Sequence, residues 1–224
     1  MHFNLVQRPT FRKLAETHLR QPAIWEHFYA MNFSMSKNRI EAFSDGVIAI
    51  IITIMVLELK IPELPENFDN QAVLTALLSL VPKLFSYSLS FVVVAILWIN
   101  HHSLFDKIPH STSSLVWYNA FLLFVMSLIP LPTAFIAEHP DQALASAFYG
   151  AVMFLNAFAF MLMRRYVEVK AQLIPYNKMV QRSNLISTGL YALSIPLSFV
   201  WVYLPYVIFI GIPLWYFLPD KFHK

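Results

Sequence analysis

The chain has 224 residues, of which 58% are hydrophobic and only 13% charged, about half the charged share of an ordinary soluble domain. With 16 Lys and Arg against 13 Asp and Glu, the net charge is +3. That balance and the missing charged surface argue against a soluble enzyme, a disordered chain and a nucleic-acid binder. There is no cysteine, which excludes disulfides, thiolate metal sites and a cysteine nucleophile, and the 4 glycines are scattered rather than gathered into a phosphate loop or a carbonyl-lined ion filter.

Residues 1–38 are polar and basic, with scattered aromatics such as Phe11, Trp25 and Phe28. They lack the apolar core of a secretory signal. The segment reads equally well as an amphipathic helix on the inner membrane surface, as a disordered leader, or as a reading-frame extension upstream of Met31 or Met35. Residues 39–219 form the membrane domain, and 220–224 a short cytoplasmic tail.

The membrane domain is all-α, with six candidate spans at about 42–59, 72–99, 113–137, 142–163, 185–203 and 206–218. Lys83 in the second is close enough to the outer end to snorkel. Pro130 and Pro132 fall near the end of the third, and Pro196 marks a kink in the fifth. The sixth is short, and Pro205 is the one break between it and the fifth. All basic residues but Lys60 and Lys83 fall in the leader, the 2–3 loop, the 4–5 loop or the tail, whereas Glu58, Glu63, Glu66, Asp69, Glu138 and Asp141 gather on the other side. By the positive-inside rule both termini are cytoplasmic, as an even number of spans requires.

The first span carries the chemistry, in the run Arg39-Ile-Glu-Ala-Phe43-Ser44-Asp45. Ionised groups at a membrane-helix entrance are costly unless paired or wet. Arg39 and Asp45, six residues apart, point about 120° away from each other, so each calls for a partner elsewhere. The plainer reading is a helix start, where Ser44 and Asp45 suit the orphan amides and the dipole. Further along, Ile50, Thr53, Ile54 and Leu57 make an i, i+3, i+4, i+7 stripe. On periodicity alone such a stripe is lipid-facing or packed core, with the Thr53 hydroxyl bonded back to the Ala49 carbonyl.

Arg39-x-x-x-Phe43-Ser44-Asp45 at the entrance to the first span resembles the signature of the transmembrane protein 175 family. Trp98-x-x-His101-x-x-Leu104-Phe105 at the end of the second span and Asn119 early in the third resemble it too. The resemblance covers about 39–218, and implies a potassium-selective cation channel of the kind known from prokaryotes and from lysosomes and endosomes. It implies that a single six-helix repeat assembles as a homotetramer around a pore lined by the first helices. It further implies that Ile50 is the narrow hydrophobic constriction, that Ile54 and Leu57 are further pore-facing layers of the gate, and that Thr53 bears on selectivity. Family variation leaves open which of Thr53 and Ile54 faces the axis. Arg39, Asp45, Trp98, His101 and Asn119, grouped with Phe43 and Ser44, would form a buried polar network behind the pore.

The physics is coherent with that picture. A ring of Ile side chains dewets a narrow pore. A neck that strips part of the hydration shell favours potassium, the more weakly hydrated ion, over sodium. Potassium is then the permeant ion and no cofactor is expected. The resemblance, with its single repeat, implies the cell membrane of a prokaryote.

Other features are weaker. His102 and Asp106, four apart, share a helix face, but two ligands do not close a metal site, so none is expected. Glu41 reads equally as an attractor of cations and as a solvated rim charge. Trp117, Tyr118, Trp201, Trp215 and Tyr216 suit interfacial belts. The alternative function is a proton-coupled secondary transporter working through Asp45 and His101, against which stands the lack of an inverted repeat. A membrane enzyme is opposed by the small number of ionisable groups within the spans.

Overall fold

The computed structural model describes residues 35–60, 62, 64 and 66–217, and every regular element among them is helical. The leader, apart from its last few residues, and the tail at 220–224 lie outside the described residues.

Helix α1, Lys37–Val56, follows Ser36 and is one unbroken 20-residue helix. It begins at Lys37 rather than at 42 and ends before 59, so the charged entrance motif is itself helical. Asp69 caps α2, Asn70–Ser79, by accepting from the Ala72 amide at 2.8 Å. Pro82 lacks an amide hydrogen, which interrupts the ladder and makes α3, Val81–Lys107, a new helix almost continuous with α2. The second apolar stretch therefore runs well beyond 99, and the Trp98–Phe105 motif is wholly helical. Thr112 caps α4, Ser113–Ser127, and the prolines at 130 and 132 open α5, Pro130–Glu138.

The central element is α6, Ala143–Arg165, which runs on into a π-helical turn at Tyr166–Lys170. Asn177 caps α7, Lys178–Val200, by accepting from the amides of Met179 and Val180. The expected break at Pro205 falls instead at 201–203. Proline is tolerated in the first turn of a helix, so Pro205 starts α8, Leu204–Phe217, rather than ending α7.

Four stretches are long and apolar enough to cross a membrane: Asn70–Lys107, Ser113–Glu138, Ala143–Lys170 and Lys178–Val200. The helix α1 carries Lys37, Arg39, Glu41 and Asp45, and α8 is shorter.

Helix α6 is the packing axis, with Ala145, Tyr149, Met153, Ala159, Phe160 and Met163 buried. A methyl group on Gly150 would run into the Ser194 hydroxyl, so the glycine sets how closely α6 and α7 approach. Buried hydroxyls tie three helices together: Thr133 donates to Ser90 at 2.8 Å, and Ser90 meets the Tyr149 hydroxyl at 3.1 Å. Near the end of α6, Arg164 donates to Glu168 at 2.8 Å, and Gln181 of α7 donates to the other carboxylate oxygen at 2.8 Å. Both charges are buried, so each needs these partners.

The two ends of the bundle are chemically distinct. At one end Ser111 bonds the Met35 carbonyl, and Thr112 meets Tyr166 at 2.8 Å. That end carries Lys37, Arg39, Lys107, Arg164 and Arg165. At the other, Lys83 pairs with Glu138 at 3.7 Å, Tyr203 donates to Asp141, and Tyr206 donates to the Pro140 carbonyl at 3.1 Å.

Candidate functional site on the first helix

Helix α1 packs against α3, α4 and α5 with one face only. Ile40, Ser44, Ile48, Ile51 and Met55, spaced at four, four, three and four residues, are buried in the protomer. This is the helical repeat of a core-facing stripe. The opposite stripe is left open: Phe43, Ile50, Ile54 and Leu57 are exposed, Ile50 to 57% and Leu57 to 71%. Thr53 is exposed beside them, and its hydroxyl is tied back to the Ala49 carbonyl at 3.1 Å and the Ile50 carbonyl at 2.9 Å. At about 100° per residue, Thr53 lies about 60° to one side of the Ile50 direction and Ile54 about 40° to the other. The four expected lining residues thus share one face, which the protomer does not cover.

The expected polar network is two separate connections. In the first, the Trp98 indole donates to the Asp45 carboxylate at 2.9 Å, joining α3 to α1. Trp98 is 41% exposed rather than buried. In the second, the Nε2 of His101 meets the Asn119 side-chain oxygen at 2.8 Å. The Asn119 amide donates to the Ser44 hydroxyl at 2.9 Å, and Ser44 donates to the Ile40 carbonyl at 2.8 Å. This chain is buried throughout, and links the ends of α3, α4 and α1. Each donor has one acceptor only if the His101 proton sits on Nε2. The ring stacks on Phe105, with centroids 4.4 Å apart.

Arg39 joins neither connection. It is exposed, and among the described residues it has no hydrogen bond or ion pair; it lines a hollow with Met35, Phe43, Val116 and Asn119. The helical repeat explains this, since Arg39 lies about 140° round from Ser44 and so points away from the bonded face. Phe43 likewise projects outward, 63% exposed.

Ser44, grouped with the network on resemblance and otherwise read as a helix-start residue, is the hub of the buried connection. Glu41 is only 18% exposed at its side chain and faces His102 across α1 and α3 at 3.3 Å, which no spacing in the sequence signals. His102 also stacks on Trp98.

The family model described as the endosomal/lysosomal potassium channel TMEM175 matches residues 39–130. These residues include both connections and the open stripe. The chain is 35% identical over 193 residues to a potassium channel of Chryseobacterium sp. (strain P1-3), covering 84% of this chain and 95% of that one. It superposes on the crystal structure of a lysosomal potassium-selective channel TMEM175 homolog from Chamaesiphon minutus with a TM-score of 0.70 and 29% identity, over 80% of this chain and 95% of that one. The endosomal/lysosomal proton channel TMEM175 of Danio rerio is 37% identical over 112 residues, which is 47% of this chain and 21% of that protein. With a family model matching the first helices and a bacterial relative similar along nearly its full length, the chain belongs to the TMEM175 family, a family of membrane ion channels and not of enzymes.

Proposed function

We propose that this chain is a potassium-selective channel of the cell membrane, working as a homotetramer with α1 lining the pore. In this reading α1 and α8 are the first and sixth spans, the basic end of the bundle is cytoplasmic, and both termini lie on that side. Ile50 forms the narrowest apolar ring, Ile54 and Leu57 line the pore beyond it, and the Thr53 hydroxyls face the permeant ion. The Trp98–Asp45 and His101–Asn119–Ser44 connections hold α1 in register against its own protomer.

The observation that carries the proposal is the division of α1 into a covered and an uncovered face. A helix whose entrance carries Arg39, Glu41 and Asp45 is poorly suited to face lipid. Four copies meeting on the Ile50 stripe cover that face and leave a conduit along the symmetry axis. The potassium channel from Chryseobacterium, similar along nearly its whole length, supports the choice of ion.

Bi-ionic current recording on purified, reconstituted protein tests the reading. Potassium-selective currents with single-channel amplitude are expected; silence, or turnover at transporter rates, rejects it. Proton permeation is the second reading, favoured by the zebrafish relative being described as a proton channel. A pH dye enclosed in the same vesicles separates the two.

A further inference from the structure

We infer that Glu41, His102 and Asp106 form a binding site for a divalent transition-metal cation, which joins α1 to α3 at the basic end of the bundle. The sequence places His102 and Asp106 on one helix face, two ligands short of a tetrahedral set. The fold brings Glu41 of α1 across to them. One imidazole nitrogen and one oxygen from each carboxylate all lie within 4.8 Å of one another. His102 Nδ1 is 3.3 Å from Glu41 Oε1, and Nε2 is 3.4 Å from Asp106 Oδ2. Around zinc, with bonds of about 2.0–2.2 Å, tetrahedral ligand atoms stand about 3.3–3.6 Å apart. The two carboxylates stand beside different ring nitrogens, so an ion held by one nitrogen requires the other carboxylate to swing round to that side, a movement that the 4.8 Å spread leaves within reach of side-chain rotation, with water completing the shell.

Three further features fit a metal better than a solvated cluster. First, no lysine or arginine among the described residues pairs with either carboxylate; the Lys37 amine lies 3.4 Å from the Asp106 backbone carbonyl instead. Two carboxylates facing one imidazole leave a charge that a divalent ion matches. Secondly, the His102 ring is held from behind: Trp98 stacks on it, with centroids 6.2 Å apart and planes 22° from parallel, and is itself anchored by its bond to Asp45. A ring restrained in this way loses less freedom when it binds an ion. Thirdly, the Glu41 side chain is mostly buried, so it is already partly ordered. One nitrogen with two oxygens suits zinc, cobalt or nickel, whereas magnesium and calcium prefer oxygen alone.

The test is zinc binding to tag-free, purified full-length protein by isothermal titration calorimetry, with cobalt absorption as a second probe. Wild type is expected to show one zinc per protomer that is absent, or at least about tenfold weaker, in His102→Gln and in Glu41→Gln. Lys37→Gln, which removes the nearby cation, should bind at least as tightly as wild type. The thermal unfolding of His102→Gln without metal should match wild type, since His102 is half exposed and outside the buried connection. Zinc binding indistinguishable between wild type and both ligand variants, or no saturable binding at all, overturns the site. Because calorimetry does not depend on ion flux, a silent channel with intact zinc binding rejects the proposed function and leaves this site standing.

Discussion

Replacing Asn119 with leucine keeps the shape of the side chain and removes both bonds of the buried connection. The Ser44 hydroxyl keeps its bond to the Ile40 carbonyl at 2.8 Å, so it loses one donor and is not orphaned. His101 is the costly partner. It is 0% exposed, and its Nδ1 already has no hydrogen-bond partner among the described residues, so the change leaves both nitrogens unpaired. Two side-chain bonds between membrane helices contribute roughly 0.6–1 kcal/mol each. The orphaned imidazole N–H adds about 1–3 kcal/mol, and the added apolar burial of leucine returns about 1 kcal/mol. The expected net loss is about 2 kcal/mol. Unfolding in mixed detergent micelles, followed by circular dichroism, measures it. His101→Phe in the same background should be less harmful than the sum of the single changes, with a coupling of about 1 kcal/mol or more. A coupling near zero, or an Asn119→Leu protein as stable as wild type, refutes the argument that this connection holds the three helices.

Ile50→Asn should raise potassium leak in liposome flux, because an amide ring would wet the proposed dry constriction; unchanged flux would remove Ile50 from the proposed gate. Thr53→Ala should lower the potassium-to-sodium permeability ratio, read as a shifted bi-ionic reversal potential. Gly150→Ala should destabilise the fold by roughly 1–3 kcal/mol through its clash with the Ser194 hydroxyl, and Ser194→Ala in the same chain should recover most of that loss in thermal unfolding. The hydrogen bond to Asp141, and then the charge of that carboxylate, hold the Tyr203 phenol above its ordinary value near 10. That favours the protonated phenol, so the tie persists below pH 10 and is lost as pH rises through the raised value. Ultraviolet difference titration of wild type against Tyr203→Phe should show that late ionisation, and Asp141→Asn should move it back down.

Much of the fold was legible because a bilayer imposes one demand, long apolar helices, that composition records directly. The helix ends were not, since apolarity marks where lipid stops and not where hydrogen bonding stops. Thus α1 extends back to Lys37, and α3 continues to Lys107 through polar residues that the apolar window leaves out. On the site, the shared face of Ile50, Thr53, Ile54 and Leu57 follows from spacing alone. Which polar side chains meet across helices does not. Arg39 was expected in the network on family resemblance, yet its angular position sends it outward, while Ser44 becomes the acceptor for Asn119. Glu41 and His102, far apart in the chain, could be paired only by the packing of α1 on α3.

The bifurcated bond of Thr53 bears on what the proposed pore would present to an ion. Its one hydroxyl proton is directed back to the carbonyls of Ala49 and Ile50, which leaves the oxygen lone pairs free on the outer side. Four such oxygens around an axis would make a neutral collar of acceptors, attractive to a cation that has shed water and uninviting to chloride. Discrimination by sign would then need no carboxylate at that depth, and would persist across the pH range in which the helix itself stays folded.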